Sequence, residues 1–149
     1  MEDFVTFKIA KKLKKKGFRE KCLTYYDVDD NVGLLYNTQY SDEMSPCQYT
    51  DLLMSHNTSE GRQPDDSDNC VDAPTISQVL KWLRDKKQIH ICIDISEYGW
   101  FFDVTSFYKQ DTGVYEIELP YKSSNITPDY ESYEVATLAG IEYVLDNLI

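Results

Sequence analysis

Isoleucines at 89, 91, 93 and 95 alternate with His90, Cys92 and Asp94, a period of two that predicts a strand with one apolar and one polar face. Such a strand needs neighbours for its backbone and a cover for its isoleucines, which constrains what surrounds it. The neighbours are legible downstream. Residues 100–107 are β-branched and aromatic, Ser96, Glu97, Tyr98 and Gly99 suit a chain reversal, and Tyr115, Ile117 and Leu119 alternate with Glu116 and Glu118 up to Pro120. The expectation is an antiparallel meander of strands at 89–95, 100–107 and 115–119, the isoleucines facing the core.

The cover is legible too. Thr75, Ile76, Ser77 and Gln78 fit a capping box just after Pro74, and Ile76, Val79, Leu80 and Leu83 trace one helical face to about Lys86. Residues 130–148 place Leu138, Ile141, Leu145 and Leu148 on a second such face, with Val135, Ala139 and Val144 beside it. Nearer the start, Ile9, Ala10 and Leu13 have helical spacing within 6–16, Gly17 suits the left-handed cap, and Phe18 follows. Short β-prone runs from Leu23 to Tyr26 and from Leu34 to Asn37 flank an acidic connection and predict a hairpin. The stretch from 38 to 72 is polar with Arg62 as its one Lys or Arg, and reads as a long acidic loop whose middle is anchored by Tyr49, Leu52, Leu53 and Met54.

Helices and strands in this order predict an α+β fold of two layers, a largely antiparallel sheet with helices packed on one face. At 149 residues, the chain is the size of a single domain, 1–149, with the acidic loop at about 38–72 as its excursion. No apolar run is long enough to span a membrane and the first residues lack the pattern of a leader, so a cytoplasmic setting is expected. In that setting Cys22, Cys47, Cys70 and Cys92, widely spaced and without a CxxC pair, are expected to be free thiols.

Charge is unevenly distributed. Residues 1–22 hold eight Lys or Arg against three acidic residues, which leaves a net −16 for the rest of a chain whose total is −11. The acidic body opposes a polyanion, so the nucleic-acid candidates are confined to Lys11, Lys12, Lys14, Lys15, Lys16 and Arg19, with Lys8 and Lys21 beside them. The plainer reading of that run is a solvated helix face whose lysines complement the helix dipole.

His90, Cys92 and Asp94 share one face of a strand and offer nitrogen, sulfur and oxygen donors, which makes them the metal candidates. Same-face neighbours on a strand lie ~7 Å apart, wide for ligands of one ion, so an outer strand face is the plainer reading. Asp27, Asp29 and Asn31 echo a calcium loop, but Gly33 is seventh and Thr38 twelfth where that loop needs Gly sixth and Glu twelfth. Asp65, Asp66, Asp68 and Asp72 read as a solvated acidic stretch. His56 and His90 are the only histidines and belong to no nucleophile signature; there is no GxGxxG or Walker loop. No cofactor is expected, and an enzyme is the less favoured class.

Twelve tyrosines are the remaining anomaly. Tyr joins apolar area to a polar tip and favours interfaces, so Tyr98, Trp100 and Tyr108 are candidates for an interaction surface.

Ala73, Pro74 and Thr75 opening a helix that reads Val79, Leu80, Lys81, Trp82, Leu83, Arg84, followed by an aromatic-rich hairpin and by Tyr133, Glu134, Val135, Ala136 leading to Leu148 and Ile149, resembles a family of small proteins encoded by Bacteroides-type gut bacteria and their phages. The likeness covers the last half of the chain and, more loosely, Lys14 to Phe18. It implies an intracellular bacterial or phage setting and carries over no catalytic or binding residue. The reading that emerges is a non-catalytic protein-interaction factor, an accessory of a phage or mobile element, acting on a protein partner through an acidic, Tyr-rich surface. Nucleic-acid binding through the basic N-terminal helix is the first alternative and a small metal-dependent enzyme the second; homo-oligomerisation is left open.

Overall fold

A computed structural model of the chain describes residues 3–27, 33–36, 70–109, 111, 115–122 and 129–149. They form α1 (Phe7–Lys15), β1 (Thr24–Asp27), β2 (Gly33–Tyr36), β3 (Cys70–Asp72), α2 (Ile76–Lys87), β4 (Ile89–Ser96), β5 (Gly99–Lys109), β6 (Tyr115–Lys122) and α3 (Tyr133–Asn147). The fold is α+β: helices pack against two antiparallel three-stranded sheets, ordered β2-β1-β3 and β4-β5-β6. The chain divides into two compact units, one of Met1–Asp3 with Ile76–Ile149, the other of Phe4–Thr75.

In the 4–75 unit, Thr6 caps α1, its hydroxyl accepting from the Ile9 N–H at 3.4 Å. Ile9, Ala10 and Leu13 are buried as their spacing predicts. Gly17 (φ +85°) ends the helix in the left-handed region, and the Phe18 N–H donates to the Leu13 carbonyl at 3.0 Å. The predicted hairpin pairs Thr24 with Tyr36 through Asp27 with Gly33. The end of the expected long loop, however, is a strand: β3 adds to β1 with Tyr26 opposite Val71 and Asp27 opposite Cys70. Three polar groups tie this unit together, the Thr24 hydroxyl donating to the Ala73 carbonyl (2.6 Å), the Tyr26 hydroxyl to the Val5 carbonyl (2.7 Å) and the Lys14 ammonium to the Cys70 carbonyl (3.2 Å). The rest of the expected loop, including Tyr49, Leu52, Leu53, Met54, Asp65, Asp66 and Asp68, lies outside the described residues, as do Cys47, His56, Asp29 and Asn31.

Cys22 and Asp72 are both buried in this unit. Burial, then the charges of Asp72 and Glu20, push the Cys22 thiol far above its usual range, so it stays protonated and is a poor nucleophile. The unfolded chain releases this proton near pH ~8.5 while the folded chain keeps it. The native state then binds more protons, so stability is full below pH ~8.5 and falls as pH rises, by up to about 1.4 kcal/mol per pH unit. Urea unfolding followed from pH 8 to 9.5 (about the onset of this ionisation) should show the decline in the native chain and a flatter profile in Cys22→Ala; identical profiles would remove the thiol as its source.

In the 76–149 unit, β4 pairs with β5 from Ile89 opposite Ser106 to Ser96 opposite Gly99. Ile89, Ile91, Phe102 and Val104 are buried beneath α2 and α3, whose Val79, Leu83, Ala136, Ile141, Val144 and Leu145 fill the layer between. His90, Cys92 and Asp94 lie exposed on the other face. Three expectations are corrected here. The isoleucines are not all buried in the core: Ile93 is half-buried and Ile95, at the turn end of β4, is 60% exposed. The third strand does not stop at Pro120 but continues to Lys122. Pro120 lies opposite Thr105 on an edge strand, and a residue whose nitrogen points outward loses no ladder bond. Finally, Val135 is 39% exposed, and α3 buries Ala136, Thr137 and Gly140 instead. Small residues let this helix approach closely: a Cβ on Gly140 would come within 2.9 Å of the Ile91 Cγ2 and 3.2 Å of the Phe102 Cγ.

Candidate functional site

At one end of the 76–149 unit the chain reverses between β4 and β5 through Glu97 and Tyr98, the Ser96 hydroxyl accepting from the Tyr98 N–H at 3.0 Å. Gly99 (φ +145°) follows, and a Cβ there would lie 2.8 Å from the Tyr130 carbonyl oxygen and 2.9 Å from the Asp129 Cβ. Glycine is thus what lets the backbone of Asp129 and Tyr130 lie against the turn. Trp100 and Tyr130 then exchange backbone hydrogen bonds, the Trp100 N–H donating at 2.9 Å and the Tyr130 N–H at 2.6 Å. Two residues on, Ser132 caps α3, its hydroxyl accepting from the Val135 N–H at 3.2 Å. The start of α3 is thereby held beside the hairpin tip, with the Tyr133 ring edge-on to Trp100 at 5.7 Å.

These constraints leave apolar surface in water. Among the described residues five large hydrophobic side chains are exposed, and four belong to this end: Tyr98 (79%), Ile95 (60%), Tyr133 (44%) and Val135 (39%). The same two segments, 94–100 and 129–135, carry Asp94, Glu97, Asp129, Glu131 and Glu134 and no Lys or Arg. A hydrogen bond to Glu97 is the first cause that pushes the pKa of the Tyr98 phenol above its ordinary value, followed by desolvation and the charge of Asp129. Its hydroxyl therefore stays neutral and able to donate.

Comparison with protein-family models, curated proteins and solved structures returns no match. The site is accordingly defined by its own geometry.

Of the sequence candidates, Tyr98 and Trp100 meet at this tip, while Tyr108 is half-buried near the far end of β5, opposite Glu116. Ile95, Tyr133 and Val135 complete the patch, although the alternation of Ile95 and the helical spacing of Val135 both suggested burial. The readable signal for α3 was Ser132 as a cap, which puts Tyr133 and Val135 in the uncovered first turn.

His90, Cys92 and Asp94 occupy one exposed face of β4, and among the described residues no group of three or more His, Cys, Asp or Glu is disposed to hold a metal ion. Cys22, Cys70 and Cys92 form no disulfide. In the basic run, Lys11 lies 5.5 Å from the centre of the Phe7 ring, Lys14 holds the Cys70 carbonyl, and Arg19 donates to the carbonyls of Lys14 (3.1 Å) and Phe18 (2.9 Å). Lys12 and Lys16 are half-buried; Lys8, Lys15 and Lys21 are exposed. Much of this run has work within its own unit, as a solvated helix face that also braces β3.

Proposed function

We propose that this chain is a non-catalytic protein-interaction factor whose docking surface is the acidic aromatic tip formed by the β4–β5 turn and the start of α3. The observation that carries the reading is that segments 94–100 and 129–135 bring together four exposed apolar side chains and five carboxylates and contain no Lys or Arg. Tyr98 and Tyr133 act as anchors with apolar bodies and polar ends, and the carboxylate rim selects a partner segment that carries Lys or Arg. In the bacterial or phage setting implied by the resemblance, the protein serves as an accessory factor that engages a basic segment of another protein.

Selection of a random peptide library on the intact chain tests this. Enriched peptides are expected to combine Lys or Arg with an aromatic or aliphatic residue, to bind at least about tenfold more weakly to the Tyr98→Ala/Tyr133→Ala double variant, and to weaken with salt. Enrichment of acidic peptides, or equal binding to the double variant, would overturn the reading. The exposed Lys8, Lys15 and Lys21 support a second reading, nucleic-acid binding through α1. It requires affinity that falls steeply with salt and is lost when these lysines become glutamines.

A further inference from the structure

Among the described residues the six strands leave four sheet edges, and three of them are poor templates for another strand. β2 has four residues, β3 has three, and β6 carries Pro120. The fourth edge, β4, runs for eight residues, Ile89–Ser96, with neither Lys nor Pro.

The direction of its backbone groups follows from the ladder. The Phe107 N–H donates to the Gln88 carbonyl at 2.9 Å, so Gln88 faces β5. Trp100 spends both its N–H and its carbonyl on Tyr130, so the Ile95–Trp100 pair opposite makes no ladder bond. Both facts give one phase: Ile89, Ile91, Ile93 and Ile95 aim their N–H and carbonyl groups away from β5, toward the free edge. The Ile95 N–H is met there by the Asp94 carboxylate at 2.8 Å.

A two-fold axis normal to a sheet makes an antiparallel strand pair with itself about one residue. Odd-numbered residues of β4, whose backbone groups face the free edge, then fall opposite odd-numbered residues of the second copy whichever residue lies on the axis, but only Cys92 on the axis sets all four isoleucines opposite isoleucines, 89 with 95 and 91 with 93. With Cys92 on the axis the strands overlap from residue 89 to 95, no other residue on the axis gives a longer overlap, and His90 falls opposite Asp94 of the second copy, twice. Charge and hydrogen-bonding complementarity therefore coincide with a register of greatest overlap. Cys92 faces β5, so it meets Cys92 of the second copy as a non-hydrogen-bonded pair, with Cα atoms about 4.5 Å apart.

We propose that β4 pairs antiparallel with β4 of a second copy of this chain, centred on Cys92, to form a continuous six-stranded sheet. The pairing sets the two turns at opposite ends of the joint and leaves Tyr98, Tyr133 and Val135 outside it, while Asp94 and Ile95 are shared with the docking surface proposed above; the Tyr98→Ala/Tyr133→Ala variant, which touches neither, separates the two.

Sedimentation of the reduced protein across a concentration series should give a monomer–dimer equilibrium. His90→Glu, which sets two pairs of like charges across the joint, should raise the dimer Kd at least about tenfold, and adding Asp94→Lys in the same chain should restore it. Diamide, a two-electron thiol oxidant, should join two copies, and peptide mass spectrometry should find Cys92 linked to Cys92, within reach of disulfide geometry. A chain that stays monomeric throughout the series overturns the proposal. So does a dimer that ignores His90→Glu and is cross-linked at other cysteines. Both substitutions are at exposed residues, and circular dichroism checks that each variant is folded.

Discussion

Phe102→Ala is expected to destabilise the 76–149 unit by about 3–5 kcal/mol, the range for emptying a large aromatic site in a packed core. Phe102 is 1% exposed, lies opposite Ile93 on β5, and has its ring centre 6.0 Å from those of both Tyr130 and Tyr143. The void cannot close easily, because Gly140 of α3 already approaches as near as a residue without Cβ allows. Phe102→Leu keeps most of the volume and is expected to cost about 1–1.5 kcal/mol. Phe101, next along the strand and on the opposite face, is half-buried, so Phe101→Ala should cost less than Phe102→Ala. Urea midpoints of the three variants decide the matter, and equal losses for Phe101→Ala and Phe102→Ala would mean that the helices do not cover the face assigned to them.

Gly99→Ala has the next largest expected effect, a loss of about 2–4 kcal/mol from a single methyl group. The methyl would enter at 2.8 Å from a backbone oxygen that has no rotamer to escape into, at a φ of +145° that L side chains rarely adopt. Relief requires the segment at 129–130 to move off β5, which breaks the two backbone hydrogen bonds between Trp100 and Tyr130. Hydrogen exchange should therefore report lost protection at the amides of Trp100 and Tyr130 before any other part of the sheet. The edge-on contact of Tyr133 with Trp100 should go with them, changing the near-ultraviolet circular dichroism. A variant within about 0.5 kcal/mol of the native chain would show that the close approach does not hold the tip together.

The two variants separate different kinds of information. The burial of Phe102 follows from its register with Ile93, and both residues belong to strands that alternation and a turn make readable. The need for glycine at 99 comes from Asp129 and Tyr130, thirty residues away, and nothing local to Gly99 announces them. The same division runs through the candidate site. Tyr98 and Trp100 were recognisable as surface aromatics near a turn, whereas Ile95 and Val135 belong to apolar periodicities that suggest burial. Periodicity reports which residues share a face; it does not report how far the covering layer extends.

Local chemistry alone determined most elements of this protein. The odd-numbered isoleucines made β4, Pro74 and Thr75 preceded α2, Gly17 ended α1, and the alternation after residue 114 made β6. These signals are readable because each acts within one turn of helix or one strand pair. Tertiary structure decided that Cys70–Asp72 would add a third strand to the first hairpin, because a three-residue strand becomes stable only against a partner. It also decided that Ala136 and Gly140 rather than Val135 would be buried in α3, and that among the described residues nothing would cover the tip or the β4 edge. Those outcomes depend on distances between segments far apart in the chain, and no window of sequence contains both sides of such a distance.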